Sequence, residues 1–362
     1  MTLHHRSLRS RRLALETLES RTLLAGDVSA DVVGGHLRLR GDDECNGVLI
    51  VQLGDERYAV VGFEHDGAPT TINGRDEPLI VRGVKRNFDI DLRGGDDLLG
   101  IGNDVELLAG LADELGFGDA LIADADVPPA AAGRLKIEGA LLVRTGDGAD
   151  GVLVNAKVRR SAVIRTGMKS DGVALVNSRF QDNVILRTET GQDGVLIENT
   201  TIDDHLNVNT GDNGDALLIS SSSVGHAVLN TGSGKDVVGV SETEFDRHLV
   251  LLTGQDDDDV VLNVVAARRI HLDTGSGNDD VAIANLDLGG NLMIFTGSGR
   301  DRVEINDSDV DNLLGVFLGS DNDELSIGGS SAKRALLRGG SGRDVLDRVD
   351  KRQFEDVNEG IL

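Results

Sequence analysis

The sequence predicts an all-β fold, a parallel β-helix of about 10 to 12 coils, and three observations predict it. A turn-like motif of the type Thr-Gly-x-Gly-x-Asp recurs with a period of about 22 residues from position 145 onwards. Apolar and polar residues alternate on both sides of each turn, which is the period of a β-strand. An aspartate closes each turn five residues after the residue that opens it. A regular unit of this length with three inward-facing stretches is typical of one coil of a parallel β-helix.

The turn-opening residues set the register of the repeat. Counted from each of them (position T), positions T−4 and T−2 are apolar in every unit, and we expect them to fill the core. Apolar residues return two and four positions after the closing aspartate, and a third inward position follows in most units, as at Phe180 and Phe245. The turns open at Thr145, Thr166, Thr188, Thr210, Thr231, Thr253, Thr274, Thr296, Leu318 and Gly339, and they close at Asp150, Asp171, Asp193, Asp215, Asp236, Asp258, Asp279, Asp301, Asp323 and Asp344.

Composition and charge narrow the classes of function. The net charge of −26 disfavours binding to nucleic acid or to anionic lipid, and it favours solubility and cation binding. No apolar stretch is long enough for a transmembrane span. The single cysteine, Cys45, excludes an internal disulfide framework.

The sequence predicts four segments along the chain. Residues 1–28 form an export or sorting segment, helical or disordered, and residues 29–88 form a small β unit or an N-terminal cap. Residues 89–350 form the β-helix. Residues 351–362 form a C-terminal cap, because both ends of a stack of coils expose strand edges that need cover.

The upstream limit of the β-helix depends on how the spacing is interpreted. Asp97 follows a strand-like segment, and Asp119 lies one period after it, so both are expected to close turns. The spacing from Asp119 to Asp150 is longer than one period. We therefore expect a surface loop inserted at about 124–134.

The N-terminus carries a basic, leucine-rich motif. Residues 11–25 read RRLALETLESRTLLA and resemble the LEPR-XLL motif that heads exported and cell-surface proteins of planctomycete bacteria, with Glu19-Ser20-Arg21 in place of Glu-Pro-Arg. The resemblance implies an export or sorting segment and an exported location, at the cell surface or outside the cell. A short amphipathic helix is the alternative interpretation, and the segment lacks the continuous apolar stretch of a classical Sec signal.

The turns resemble calcium-binding RTX repeats. Residues 274–281 (TGSGNDDV) and 296–303 (TGSGRDRV) are similar to half a turn of the RTX pattern. RTX arrays repeat every nine residues, whereas here one such turn occurs per coil. The difference moves the predicted fold toward the wider right-handed β-helices of pectate-lyase and adhesin type, with degenerate RTX-like turns.

The aspartate column is the strongest candidate for a site. Carboxylates stacked at the coil spacing of about 4.8 Å repel each other by about 3.5 kcal/mol at an effective dielectric of 20. Either each aspartate accepts backbone N–H groups inside its own turn, or Ca²⁺ lies between successive turns. The intact Gly-x-Gly-x-Asp motif occurs in adjacent coils at 275–279 and 297–301, so Ca²⁺ is predicted at Asp279 and Asp301.

Three further columns are expected to face outward. The T−5 column is either a transition-metal site or polar surface, and the T−1 column either binds an acidic polysaccharide or is solvated or paired with acids such as Glu189. The T−3 column is an apolar stripe that residues 30–88 or a protein partner would cover. The columns comprise His205, His226 and His248 at T−5; Arg144, Arg165 and Arg187 at T−1; and Leu142, Val163, Ile185, Val228, Val250 and Met293 at T−3.

The sequence favours a structural role over catalysis. It contains no nucleophile motif, no phosphate-binding loop and no zinc-ligand spacing, and it has only nine aromatic residues. We therefore expect a non-enzymatic, exported β-helix protein that acts as a structural or adhesive module, with a polysaccharide or protein partner; the oligomeric state stays open. The alternative is a carbohydrate-active β-helix enzyme, either a polysaccharide lyase or a hydrolase, which would need a groove lined by clustered acidic and basic residues.

Overall fold

The chain forms a parallel β-solenoid of about 10 turns with a period of about 22 residues, which confirms the predicted fold class. The computed structural model describes residues 26–67, 69–116, 127–347 and 354–360. The motif at 11–25 lies outside these residues. The elements are β1 (Gly26–Val33), β2 (His36–Arg40), β3 (Gly47–Gly54), β4 (Arg57–Phe63), β5 (Thr70–Ile72), β6 (Leu79–Arg82), β7 (Phe88–Asp91), β8 (Leu98–Gly102), α1 (Val105–Glu114), β9 (Leu135–Ile137), β10 (Leu141–Asp147), β11 (Gly151–Val158), β12 (Ala162–Met168), β13 (Gly172–Val176), β14 (Arg179–Phe180), β15 (Val184–Arg187), β16 (Gly194–Glu198), β17 (Thr201–Asp212), β18 (Ala216–Ser220), β19 (Ser223–Ser233), β20 (Val237–Leu252), β21 (Asp259–Asp273), β22 (Asp280–Ala284), β23 (Asp287–Phe295), β24 (Arg302–Asn306), β25 (Asp309–Ser320), β26 (Glu324–Gly328), β27 (Ser331–Ser341), β28 (Val345–Asp347) and β29 (Phe354–Gly360).

Each coil contributes strand segments to three stacked parallel sheets. Face 1 holds the segments that run into the turn, such as β10, β12 and β15, in the register Leu141↔Ala162↔Val184. Face 2 holds the segments that leave the turn, such as β11, β13 and β16. Face 3 holds the short segments β9, the end of β11, and β14. Each parallel pairing on these three faces joins a strand to the equivalent strand of the next coil, so the coils on either side complete its backbone hydrogen bonds.

The core is one continuous column of aliphatic side chains enclosed by the three faces. The residues predicted at T−4 and T−2 are buried, as Ala162 and Ile164 show. The third inward position is also buried, with Phe180 and Phe245 fully enclosed. Each coil repeats the same thin layer, which explains how a chain without tryptophan builds a continuous core.

The N-terminal segment continues the stack and adds antiparallel strands to it. β2 pairs with β7 and β3 pairs with β8, both in parallel, so residues 36–54 supply strands to faces 1 and 2. β1 forms an antiparallel pair with β2, and β3, β4 and β6 form an antiparallel group. The antiparallel strands thus cover the first coil, where a parallel stack would otherwise end in open edges.

No coil lies between the coils of Asp97 and Asp150, where one was expected to close at Asp119. β7 pairs directly with β10 and β8 with β11, so the coil of Asp97 lies against the coil of Asp150. The described residues between β8 and β9, 103–116 and 127–134, supply no strand to the stack, and α1 lies among them. The predicted loop at 124–134 is described only from residue 127. Asp104 caps α1 by accepting a hydrogen bond from the backbone N–H of Leu107 at 3.1 Å. Asp119 itself lies outside the described residues.

At the C-terminal end, β29 pairs in parallel with β27, in a register that runs from Ala332↔Phe354 to Arg338↔Gly360. The predicted cap, 351–362, is described only over residues 354–360, which supply this last strand. No helix among the described residues is long and apolar enough to cross a membrane.

Candidate functional site

The turn between faces 1 and 2 brings successive coils into direct backbone contact. Gly275 and Gly297 follow the turn-opening threonines of adjacent coils, with φ of 87° and 88°. A Cβ atom on Gly297 would lie 1.9 Å from the carbonyl oxygen of Gly275. Glycine is therefore required here both for the left-handed backbone conformation and for the close approach of the turns.

The closing aspartates form a hydrogen-bonded ladder along the stack. The Oδ1 atom of each aspartate accepts the backbone N–H of the aspartate one coil earlier, at 2.8 to 3.2 Å from Asp97 to Asp344. Asn46 occupies the equivalent place in the first coil and donates its N–H to Asp97. The expectation that each aspartate accepts N–H groups inside its own turn is wrong, because the stacked turns place the nearest unpaired N–H in the neighbouring coil.

The ladder carboxyls are buried, and only one of the two oxygen atoms of each accepts a hydrogen bond from a described residue. The ladder aspartates from Asp97 to Asp323 are at most 3% exposed, and their Oδ2 atoms have no hydrogen-bond partner among the described residues. Burial raises the pKa of these carboxyls from the ordinary 3.8, to about 8 for Asp171 and about 7 for Asp215, while the nearby threonine hydroxyl and the accepted N–H partly offset the rise. Neighbouring carboxylates raise these pKa values further, so the ladder disfavours negative charge.

Asp279 and Asp301, the predicted calcium ligands, lie in adjacent coils as the spacing indicated. The backbone N–H of Asp279 donates to Oδ1 of Asp301 at 3.0 Å. Both side chains are 2% exposed, and both Oδ2 atoms lack a hydrogen-bond partner among the described residues. Burial raises the pKa of each carboxyl to about 6. The pair shares all of these features with the other ladder aspartates, so its binding of Ca²⁺ stays a prediction.

At the corner between faces 2 and 3, serine and threonine hydroxyl groups accept backbone N–H groups from the preceding coil, as the aspartates do at the turn. The N–H of Leu286 donates to Oγ of Ser308, and the N–H of Ser308 donates to Oγ of Ser330. The residue before this column has a positive φ in each coil from Asn177 to Gly329, which suits Asn199 and Asn285 but not Val264, with φ of 55°. In several coils, this corner is therefore also fixed by a side chain that accepts an N–H group from the preceding coil.

The three stacked histidines lie in line on the outer side of face 1. Their rings meet edge to face, with centroids 5.3 Å apart between His205 and His226 and 5.8 Å apart between His226 and His248. Burial lowers the pKa of His226, and its two histidine neighbours lower it further. Within the described part of the chain, these histidines do not gather three ring nitrogens within 4.8 Å of one another. The column therefore has the geometry of a stacked surface rather than of a three-ligand metal site.

The arginine column is exposed and forms no ion pair within the described part of the chain. Arg144, Arg165 and Arg187 are in register on adjacent strands of face 1. No carboxylate among the described residues forms an ion pair with any of them, and the suggested pairing with Glu189 is absent. Beside them runs the apolar T−3 stripe, whose residues in these coils are half-buried.

One expectation was that residues 30–88 cover the apolar T−3 stripe of face 1. The N-terminal strands do not cover it. Instead, Leu49 and Val61 of the N-terminal strands and Leu108 of α1 pack on Leu153 and Ala174, which are outward residues of face 2. The stripe on face 1 thus stays half-exposed beside the arginine column.

A lateral groove lies where the N-terminal strands meet face 3. It has a volume of about 460 Å³ and is lined by charged residues of both signs, including Glu56, Lys85, Glu138 and Arg159. Arg159 pairs with Glu138 at 2.7 Å, and Lys85 pairs with Glu56 at 3.4 Å. The hydroxyl of Tyr58 donates to the carbonyl of Lys136, which ties the groove to face 3.

Sequence analysis did not find one convergence of potential ligands. The thiol of Cys45 and the carboxylates of Asp66 and Asp96 offer atoms that all lie within 4.8 Å of one another. The three residues come from separate segments, so no local spacing could reveal them. One feature of the sequence could have indicated this cluster: the single cysteine follows three acidic residues, in Asp42-Asp43-Glu44-Cys45.

Comparison with known proteins bears on the N-terminus. Residues 9–28 match the family model described as Planctomycete extracellular. This match overlaps the motif at 11–25, and together with the solenoid it supports a planctomycete extracellular β-helix protein. It also suggests an exported location. No curated protein matches the chain, and no solved structure matches it.

Proposed function

We propose that the protein acts outside the cell as a rigid, non-enzymatic β-helix module with a structural and adhesive role at the cell surface or envelope. The observation that carries this proposal is the continuity of the stack. Backbone ladders on three faces and the aspartate ladder at one corner link each coil to the next, and hydroxyl groups at a second corner add links between several coils. A stack tied at so many points resists bending and presents the same side-chain positions at regular intervals.

The adhesive part of the proposal rests on the arginine column. Three exposed guanidinium groups, none of which forms an ion pair with a described residue, lie on adjacent strands of a chain whose net charge is −26. Guanidinium groups bind carboxylates and sulfates in a two-pronged manner. Their regular separation of about 4.8 Å suits a linear polymer with repeated negative charges, and the half-buried Leu142, Val163 and Ile185 offer apolar contact beside them. An acidic polysaccharide is therefore the proposed partner.

Binding of the full chain to immobilised polyuronate tests this proposal, with a neutral polysaccharide as reference. The triple variant Arg144→Gln, Arg165→Gln, Arg187→Gln should lose at least tenfold in affinity, and added salt should weaken the binding of the wild type. The matched control changes three other exposed arginines to glutamine, at Arg75, Arg82 and Arg343, and should bind as the wild type does. Equal binding by both triple variants would refute the adhesive role.

Calcium is a further part of the proposal, at Asp279 and Asp301. The buried Oδ2 atoms supply oxygen donors of the kind that Ca²⁺ prefers, and a cation would offset the repulsion between neighbouring carboxylates. Thermal unfolding with Ca²⁺ and with EDTA is the test. A midpoint that rises with Ca²⁺ in the wild type but not in Asp279→Asn supports the site, whereas an unchanged midpoint in the wild type removes it.

One observation favours the alternative, a carbohydrate-active enzyme. The groove beside face 3 gathers Glu56 and Glu138 with Lys85, Lys136 and Arg159, and paired carboxylates are the groups that cleave glycosidic bonds in many hydrolases. Incubation with polyuronates and neutral glycans, followed by measurement of new reducing ends, distinguishes the two functions. Product that disappears in Glu138→Gln would favour the enzyme over the structural module.

A further inference from the structure

We propose that Cys45, Asp66 and Asp96 form a binding site for a divalent transition-metal ion such as Zn²⁺, and that this ion fastens the N-terminal strands to the solenoid. The three candidate ligand atoms lie within 4.8 Å of one another. Thiolate and carboxylate are both established ligands of Zn²⁺, which takes four ligands in a tetrahedron. Water would complete the set.

The ligands come from three separate parts of the fold. Cys45 lies in the turn between β2 and β3, Asp96 lies in the next turn along the stack, and Asp66 lies in the loop between β4 and β5. The two turns touch, since a Cβ on Gly95 would lie 2.8 Å from the backbone nitrogen of Cys45. A bound ion would therefore link two coils of the solenoid to the antiparallel strands that cover its end.

The ligand atoms are close enough to one another for a shared ion. With metal–ligand bonds of roughly 2.0 to 2.3 Å, the ligand atoms of a tetrahedral site stand roughly 3.5 Å apart. Atoms already within 4.8 Å need to approach by about 1 Å, which rotation of a side chain supplies. Asp66 is exposed and Cys45 and Asp96 are half-buried, so an ion can enter from solvent.

The chemistry of the cluster fits a cation. The thiol of Cys45 and the carboxylates of Asp66 and Asp96 bring one sulfur and two acidic oxygen ligands together. On metal binding, the thiol would release its proton to solvent and bind as the thiolate. Lys169 pairs with Asp96 at 3.0 Å and already compensates part of the negative charge. Removal of that lysine charge should therefore strengthen metal binding.

This cluster differs from the other candidate positions on the chain. It combines a thiol with two carboxylates, whereas the aspartate ladder offers carboxylates alone. Within the described residues it is the group of cysteine, histidine and acidic side chains whose ligand atoms converge. The proposal is independent of the adhesive role, because the arginine column lies on face 1 and contributes no ligand.

Titration of the full chain with Co²⁺ and Zn²⁺ tests the site. Co²⁺ bound to a thiolate gives a near-ultraviolet charge-transfer band, which we expect in the wild type and not in Cys45→Ser. Zn²⁺ should raise the thermal midpoint of the wild type in a concentration-dependent manner, and Asp66→Asn should weaken this response at least tenfold. Asparagine tolerates the positive φ of 48° at position 66, so this variant should fold normally.

The matched control is Asp43→Asn, an equal change of charge at an exposed position in the turn of Cys45. It should bind Co²⁺ as the wild type does, and Lys169→Gln should bind more tightly. The proposal is overturned if the wild type shows no thiolate–cobalt band, or if Asp66→Asn and Asp43→Asn reduce the Zn²⁺ response equally.

Discussion

The aspartate ladder predicts that one charge-removing substitution stabilises the protein. In Asp215→Asn, the side-chain oxygen can still accept the N–H of Asp193, a hydrogen bond of 2.9 Å in the wild type. Asn46 already occupies the ladder position of the first coil, where its side-chain nitrogen donates to the carbonyl of Glu44. The substitution thus keeps the structural hydrogen bond and removes a carboxyl whose Oδ2 is buried without a partner among the described residues.

The magnitude follows from the shifted pKa. Burial raises the pKa of Asp215 from 3.8 to about 7. Since the folded-state pKa is the higher one, the carboxyl costs nothing below about pH 4, and stability falls as pH rises until the folded-state pKa is passed. At about 1.4 kcal/mol per pKa unit the cost is at most about 4 kcal/mol, and solvent screening beside the turn reduces it to about 2 kcal/mol. The advantage of Asp215→Asn should grow from about 1 kcal/mol at pH 5 to about 2 kcal/mol at pH 8.

Asp215→Ala is the companion variant, because it removes both the charge and the acceptor. The buried N–H of Asp193 is then left unpaired, which costs about 1 to 3 kcal/mol relative to Asp215→Asn at either pH. Urea unfolding followed by circular dichroism measures both differences, and amide hydrogen exchange at Asp193 reports the local effect. The reasoning is refuted if asparagine is no better than alanine, or if its advantage over the wild type does not grow between pH 5 and pH 8.

Two further predictions concern the backbone of the turns and corners. Val264→Asn should stabilise the protein by about 1 kcal/mol in thermal unfolding, because a β-branched residue is strained at its φ of 55°; Val261→Asn, equally exposed in a regular strand, should not stabilise it. Gly297→Ala should destabilise the protein by about 3 kcal/mol or more, because the new Cβ would meet the carbonyl of Gly275 at 1.9 Å. Gly289→Ala is its control, since a Cβ there meets nothing within 4 Å, and equal losses for the two alanine variants would contradict the close-contact explanation.

The repeat made the solenoid predictable because each coil uses the same inward positions. Residues such as Ile164 and Leu186 alternate with outward ones at a constant distance from the turn. A single register therefore placed the whole core between 135 and 347. The direction of the aspartate hydrogen bonds was not predictable in the same way, because it depends on how adjacent turns stack and not on the order of residues within one turn.

An insertion hid the first coil, and another gave a false indication of an additional coil after the second. Asn46 replaces aspartate in the first turn, and its distance from Asp97 along the chain is far longer than one period because β4, β5 and β6 lie between. Asp119 falls one period after Asp97 by coincidence of spacing, and this suggested a coil where the chain forms α1 and leaves the stack. A constant spacing of turn residues therefore predicts stacked coils only where no helix or strand is inserted between consecutive coils.

A candidate site could be predicted from the sequence only where its residues recur at the same position of successive coils. The histidine and arginine columns follow from the period, since each repeats one position of the coil. The Cys45–Asp66–Asp96 cluster does not, because it joins two turns of the stack to a loop outside the repeat.

Localisation of the full chain in a planctomycete host is the most direct test of the proposed extracellular role. A tagged full-length protein should be found outside the cytoplasm and should be accessible to antibody on intact cells. The same chain without residues 1–28 should remain inside, which provides the control. A full-length protein that stays in the cytoplasm, with or without those residues, would contradict the role proposed for this β-helix.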